Sequence, residues 1–126
     1  MGTGTEIGRA RGLGAAKSGV GHWWLQRVTA VGNLILMLWF IGSLLRLPAL
    51  DYPTIITWLR QPVAAVPMLL LIVSVFWHFR LGMQVFIEDY VHVESSKLLA
   101  LLALNFYALA GAAAAVFAVL KISLGA

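Results

Sequence analysis

The sequence predicts an all-α membrane protein with three transmembrane helices, and three observations predict it. Hydrophobic residues make up 61% of the 126 residues and charged residues 11%, far too little polar surface for a soluble domain of this size. The apolar residues gather into three runs of about 20–25 residues, each long enough to cross a hydrocarbon core at about 1.5 Å rise per residue. Backbone groups in lipid must be paired internally, and a helix pairs them within its own segment.

The first span is expected over about residues 28–47, "VTAVGNLILMLWFIGSLLRL". It is uncharged until Arg46, which reaches back to the interface along its own apolar stem. Pro48 forbids simple continuation. The following stretch, "PALDYPTIITWLRQ", reads as a loop with room for a short interfacial helix, because Tyr52, Trp58 and Arg60 suit a headgroup environment. The second span is expected over about residues 63–87, with Pro67 near its start, where a missing N–H costs little. The third is expected over about residues 98–120, "LLALLALNFYALAGAAAAVFAVL", uncharged and rich in Ala and Gly. Those small residues either let helix backbones approach closely or are plain apolar filler, and the sequence leaves both open.

Upstream of the spans, residues 1–23 are expected to form a basic cytoplasmic segment, with residues 24–126 forming the membrane unit. The net charge of +4 comes partly from Arg9, Arg11 and Lys17. A basic flank beside a span is a topology signal, so no nucleic-acid partner is expected. "MGTGTEIGRARGLGAAKSGV" lacks the apolar region of a signal peptide. Glu6 stands where an acylation signal built on Gly2 carries Ser or Thr. The absence of cysteine excludes disulfides, thiolate chemistry, iron–sulfur ligation and Cys-based zinc sites within this chain.

Lys and Arg placement sets the expected direction. Arg9, Arg11, Lys17 and Arg27 flank the first span, Arg46 and Arg60 lie in the first loop, Lys97 in the second and Lys121 in the tail. The bias puts the N-terminus inside together with residues 88–97. His22, Arg27, Asp89, Tyr90 and His92 then share one side of the membrane.

The residue that stands out is His78, near the middle of the second run. An ionisable side chain at that depth is costly and faces a partner or a cavity. Three readings compete: an imidazole hydrogen-bonded to a neighbouring helix, a proton relay, or a metal or haem ligand. Gly82 lies four positions on and about 40° round, where a missing side chain leaves room for a flat macrocycle. Asp89 returns to within about 20° of the same face, about 16 Å along the axis. Beside it Tyr90 offers a phenolic donor, although Tyr at a helix end is also a common interfacial anchor. A low-spin haem takes a second axial ligand. His92 is about 21 Å away along a helix and His22 precedes the first span, so that ligand would come from another chain. Arg80 points about 200° away from His78. A propionate reached by snorkelling, Glu88 and a partner subunit all remain open as its counterpart.

The segment "HFRLGMQVFIEDYVH", residues 78–92, resembles the H-x3-G-x-Q-x4-D-Y signature of the D-type hydrophobic membrane-anchor family of succinate dehydrogenase, respiratory complex II. "GHWWLQRVTAVGN", residues 21–33, resembles the start of that family's first span. The resemblance implies that the three helices pair with a second, C-type cytochrome b anchor subunit in a helical bundle around haem b. It implies that His78 is an axial ligand of the haem iron, that Tyr90 hydrogen-bonds a ubiquinone carbonyl with Asp89 as its acidic neighbour, and that Arg27 lies near the haem propionates and the quinone pocket. FAD and the iron–sulfur clusters would belong only to the partner flavoprotein and iron–sulfur subunits, which oxidise succinate and pass its electrons to quinone. The implied location is a bacterial inner membrane, with a mitochondrial inner membrane the lesser alternative. The rivals are a haem-free structural anchor and a small proton-coupled transport subunit using His78 and Asp89.

Overall fold

The computed structural model describes residues 5–7 and 19–125. The basic flank of Arg9, Arg11 and Lys17, and Gly2, lie outside the described residues. Four helices follow one another from residue 19 onward: α1 (Gly19–Arg46), α2 (Tyr52–Leu59), α3 (Pro62–Tyr90) and α4 (Glu94–Ser123). Of these, α1, α3 and α4 are long and apolar enough to cross a membrane. They contain 28, 29 and 30 residues, or about 42–45 Å each, against a hydrocarbon core of about 30 Å. Each therefore continues past its apolar run into the interface. At the N-terminal end, α1 already includes His22 and Arg27.

The short interfacial helix is α2, and its start is chemically defined. Asp51 is extended and its carboxylate accepts from the Thr54 backbone N–H at 3.2 Å, while Pro53 occupies the first turn, where no N–H is needed. Hydrogen bonding from the Thr54 side chain, then from its backbone N–H, holds the Asp51 carboxyl below its ordinary value of 3.8. At the other end of the molecule only Val91, His92 and Val93 separate α3 from α4. Val91 and Val93 are extended, which suits β-branched side chains and stops both helices. Glu94 in the first turn and Lys121 in the last complement the dipole of α4.

Pro67 is the sixth residue of α3, not the first or second. It therefore offers no N–H to the Val63 carbonyl, a loss that the expected start of the span did not include.

The helices are arranged in a row. α3 packs against α1 on one side and α4 on the other, and α1 and α4 do not pack together among the described residues. α2 rests against α3 and α4, and its Trp58 stacks on Trp39 of α1, centroids 5.9 Å apart, with Phe40 at 6.3 Å. This crossing lies at the C-terminal end of α1, so the N-terminal part of α1 and the C-terminal part of α3 share the opposite end.

Side-chain size sets the spacing of the row. A Cβ on Gly111 would lie 2.6 Å from Cε1 of Phe76. The glycine is thus a socket that lets the α3 ring reach the α4 backbone. Ala108, one turn earlier, is buried, whereas Ala113 and Ala114 face outward. The small residues of the third span are close-approach sites on one face and filler on the other. On the other side of α3, a Cβ on Gly32 would lie 3.2 Å from Ser74 Oγ. The core is thin: α1 contributes no buried residue, and no polar or charged residue is fully buried among those described.

Candidate functional site

The α1 residues His22, Gln26, Thr29 and Asn33 recur at steps of four, three and four, which places them on one helical face. All four are half-buried. Thr29 on this face meets α3 at mid-span. Its Oγ1 lies 3.0 Å from His78 Nδ1. The same hydroxyl reaches the Leu25 carbonyl at 2.6 Å and the Gln26 carbonyl at 3.2 Å. Ser74, one turn before His78, donates to the Thr29 carbonyl at 3.3 Å. Two bonds ending on Thr29 therefore tie α1 to α3 in a fixed register. Among the described residues His78 Nε2 makes no hydrogen bond.

Gly82 is on the same side of α3. A Cβ there would lie 3.7 Å from Gln26 Nε2, so the space above it is shared with the α1 amide. Gln26 Oε1 is buried without a partner, as is Asn33 Oδ1. A buried acceptor left unpaired costs about 1–3 kcal/mol. The stripe thus holds unspent polar capacity on both sides of the Thr29–His78 contact.

Asp89 and Tyr90 occupy the last turn of α3, and both are exposed. Tyr90 is 70% exposed and its ring packs tilted against Phe86, with centroids 4.7 Å apart. Arg27 is exposed on α1, its guanidinium 5.2 Å from the Trp23 ring centroid. All three lie toward the end of the molecule that the N-terminal part of α1 shares with the C-terminal part of α3. Among the described residues no hydrogen bond, ion pair or ring contact joins Arg27, Asp89 and Tyr90 to one another or to His78.

Arg80 does point away from His78, into a groove of about 440 Å³ between α3 and α4. Its Nε donates to Asn105 Oδ1 of α4 and its guanidinium lies 5.9 Å from the Trp77 centroid. Glu88 instead accepts from Gln84 at 3.0 Å. The amide that takes Arg80 was not among its expected counterparts. Its signal was present, a lone Asn in an otherwise apolar run. Thr29, Ser74 and Gln26 were likewise missed as neighbours of His78; the polar stripe of α1 was the signal for Thr29 and Gln26, and for Ser74 it was its place one turn before His78 on α3.

No group of three or more His, Asp or Glu side chains that could hold a metal occurs among the described residues. A metal at His78 would take one ligand from this part of the chain. A half-buried imidazole with one nitrogen held and the other unengaged suits that role, because a ligating histidine normally spends its second nitrogen on a nearby acceptor.

The model of the family described as succinate dehydrogenase/fumarate reductase transmembrane subunit matches residues 1–118. A succinate dehydrogenase hydrophobic membrane anchor subunit of Rickettsia bellii is 35% identical over 104 residues, covering 82% of this chain and 83% of that protein. Its namesake in Rickettsia conorii is 40% identical over 87 residues, 68% and 69% of the two chains. A succinate dehydrogenase membrane anchor subunit of Reclinomonas americana is 36% identical over 97 residues, 74% and 80% of the two chains.

Proposed function

The chain belongs to the succinate dehydrogenase/fumarate reductase transmembrane-subunit family, and from that premise we propose that it anchors a succinate:ubiquinone oxidoreductase in the membrane, holds one face of a b-type haem through His78, and builds part of the ubiquinone-reduction site. The observation that carries the haem assignment is the state of His78: mid-span, half-buried, with Nδ1 on Thr29 and Nε2 without a described partner. A second ligand for the iron would come from a C-type anchor subunit. Haem b, when bound, supplies reversible one-electron chemistry.

The roles of this chain's own residues follow from their chemistry. Arg27 keeps its charge at any working pH and presents a planar fork suited to a carboxylate such as a haem propionate. Gly82, with no side chain of its own, would leave room for the group beside the Gln26 amide. Tyr90 donates a hydrogen bond to a ubiquinone carbonyl and polarises it as electrons arrive. Quinone reduction takes up two protons, so the exposed end of α3 is a suitable place for it, with the Asp89 carboxylate beside the phenol to relay protons from water. The orientation in this proposal puts the N-terminus and the α3–α4 turn on the cytoplasmic side of a bacterial inner membrane. A flavoprotein with FAD and an iron–sulfur subunit deliver the electrons there. This chain, without cysteine, has no thiolates to hold the iron–sulfur clusters.

One observation favours a second reading. The Thr29–His78 bond is also what a haem-free anchor would use to lock α1 against α3. The two readings part on a single measurement. In purified complex, His78→Ala is expected to abolish or deplete the reduced-minus-oxidised b-type spectrum while succinate oxidation by an artificial acceptor persists. A wild-type spectrum in that variant removes His78 from the iron.

A further inference from the structure

We infer that Thr29 is the positioning residue that fixes the tautomer and orientation of the His78 ring, and thereby tunes the potential of the haem that ring ligates. The inference rests on the ligand role proposed above for His78, and it follows from counting protons. A threonine hydroxyl has one hydrogen and two lone pairs. The Leu25 carbonyl, 2.6 Å away, is the nearest acceptor for that hydrogen, and the Gln26 carbonyl at 3.2 Å is the other carbonyl the hydroxyl meets among the described residues. Neither carbonyl can donate. With the hydrogen assigned to its nearest acceptor, the contact to His78 Nδ1 at 3.0 Å runs the other way, the ring N–H donating to a Thr29 lone pair. The ring is therefore the Nδ1–H tautomer, which leaves the Nε2 lone pair free to bind a metal.

The lock is built from backbone as well as side chain. The Leu25 carbonyl lies one turn before Thr29 on the same helix, so the hydroxyl cannot swing to donate to the ring without giving up its shortest bond. Ser74 Oγ joins the two helices at the Thr29 main-chain carbonyl, one turn before His78, a contact separate from the Thr29 hydroxyl and from the ring. Gly32, one turn beyond Thr29, allows that approach, because its missing Cβ would stand 3.2 Å from the same serine oxygen. An Nδ1–H that donates a hydrogen bond makes the imidazole a more basic ligand, which favours the oxidised metal.

The test uses the complex purified with all its subunits and reads the haem midpoint potential and low-temperature spectrum rather than turnover. Thr29→Val keeps the shape and removes the acceptor. Loss of an outer-shell partner of a metal ligand typically costs about 10–100-fold. A tenfold loss in relative stabilisation of the oxidised form corresponds to an upward shift of about 59 mV for a one-electron couple. Thr29→Ser, which retains the hydroxyl, is expected to stay at the wild-type potential. Ser74→Ala loosens the helix pair without touching the ring and is expected to leave the potential unchanged. If Thr29→Val does not assemble, Thr29→Ala is read in its place.

Wild-type potential in the variant lacking the hydroxyl overturns the inference and leaves His78 ligation standing. An equal shift in Ser74→Ala overturns it in favour of general loosening, and failure of both hydroxyl-free variants to assemble does the same. A wild-type haem spectrum in His78→Ala refutes the ligation itself, a separate result from any of these.

Discussion

Tyr90 owes its proposed task to where α3 stops. The ring is already supported by Phe86 at 4.7 Å, and its edge is open to water or to an incoming ligand. Packing and hydrogen bonding are thus separable in this residue. Tyr90→Phe preserves the ring contact and deletes only the donor. It is expected to lower quinone turnover about two- to tenfold, the worth of one hydrogen bond of about 0.5–1.5 kcal/mol. Succinate oxidation by an artificial acceptor should be unchanged, and unaltered quinone reduction would remove Tyr90 from the site. His78, Asp89 and Tyr90 were legible in the sequence because each departs from its surroundings: an imidazole inside an apolar run, and an acid beside a phenol where that run ends. Thr29 was not, because its relation to His78 spans 49 positions and a lone threonine in an apolar helix carries no signal of its own. Only the periodicity with His22, Gln26 and Asn33 marks it. That pattern becomes informative once α1 is known to lie against α3.

At the scale of the helices, counting apolar residues recovers the thickness of the lipid core, and helix ends are decided by other chemistry. That is why the three spans were readable while α1, α3 and α4 each extend further. The ambiguity of the Ala- and Gly-rich third span had a different cause, since only the facing Phe76 distinguishes a socket from filler. Gly111→Val forces that ring to move from a position 2.6 Å from the new Cβ. Overpacking of this kind typically costs about 1–3 kcal/mol, and apolar attraction between helices in lipid is too weak to compensate. The variant is expected to melt earlier in detergent, while Ala113→Val, on the outward face, is expected to melt as wild type. Equal melting of the two variants would count against the socket. The cap of α2 gives a pH-dependent counterpart. The folded Asp51 carboxyl is held below its ordinary 3.8, so its contribution is complete above that value and is lost as pH falls through the lowered one. The difference in melting temperature between wild type and Asp51→Ala should therefore be present at pH 7 and shrink as the solution is taken below about pH 4. A difference that stays constant across that range would show that the charged carboxylate is not what caps the helix.

Three helices in a row enclose little. α3 is covered on two sides, but α1 and α4 each keep most of their circumference outward, and α1 buries no residue at all. Along a lipid-facing surface that is no defect, because apolar side chains are at home there. The polar stripe is different. Gln26 Oε1 and Asn33 Oδ1 lack partners within the described residues, and His78 Nε2 is unengaged beside them. Unpaired acceptors at membrane depth are satisfied by water, by a ligand or by another chain. A molecule built this way is expected to reach its full stability only beside a further chain or ligand. A partner anchor present at a hundred times its dissociation constant would add about 2.7 kcal/mol. Produced alone and extracted in detergent, the chain is expected to melt below the temperature it shows within the assembled complex and to retain no stoichiometric b-type haem. Amides of α1 should exchange faster than those of α3, which has neighbours on both sides. Co-production with the second anchor subunit should restore haem, slow exchange in α1 and raise the melting temperature together. An isolated chain that holds haem and protects α1 as well as the complex does would mean that the row of helices is complete in itself, and the shared-haem assignment for His78 would fall with it.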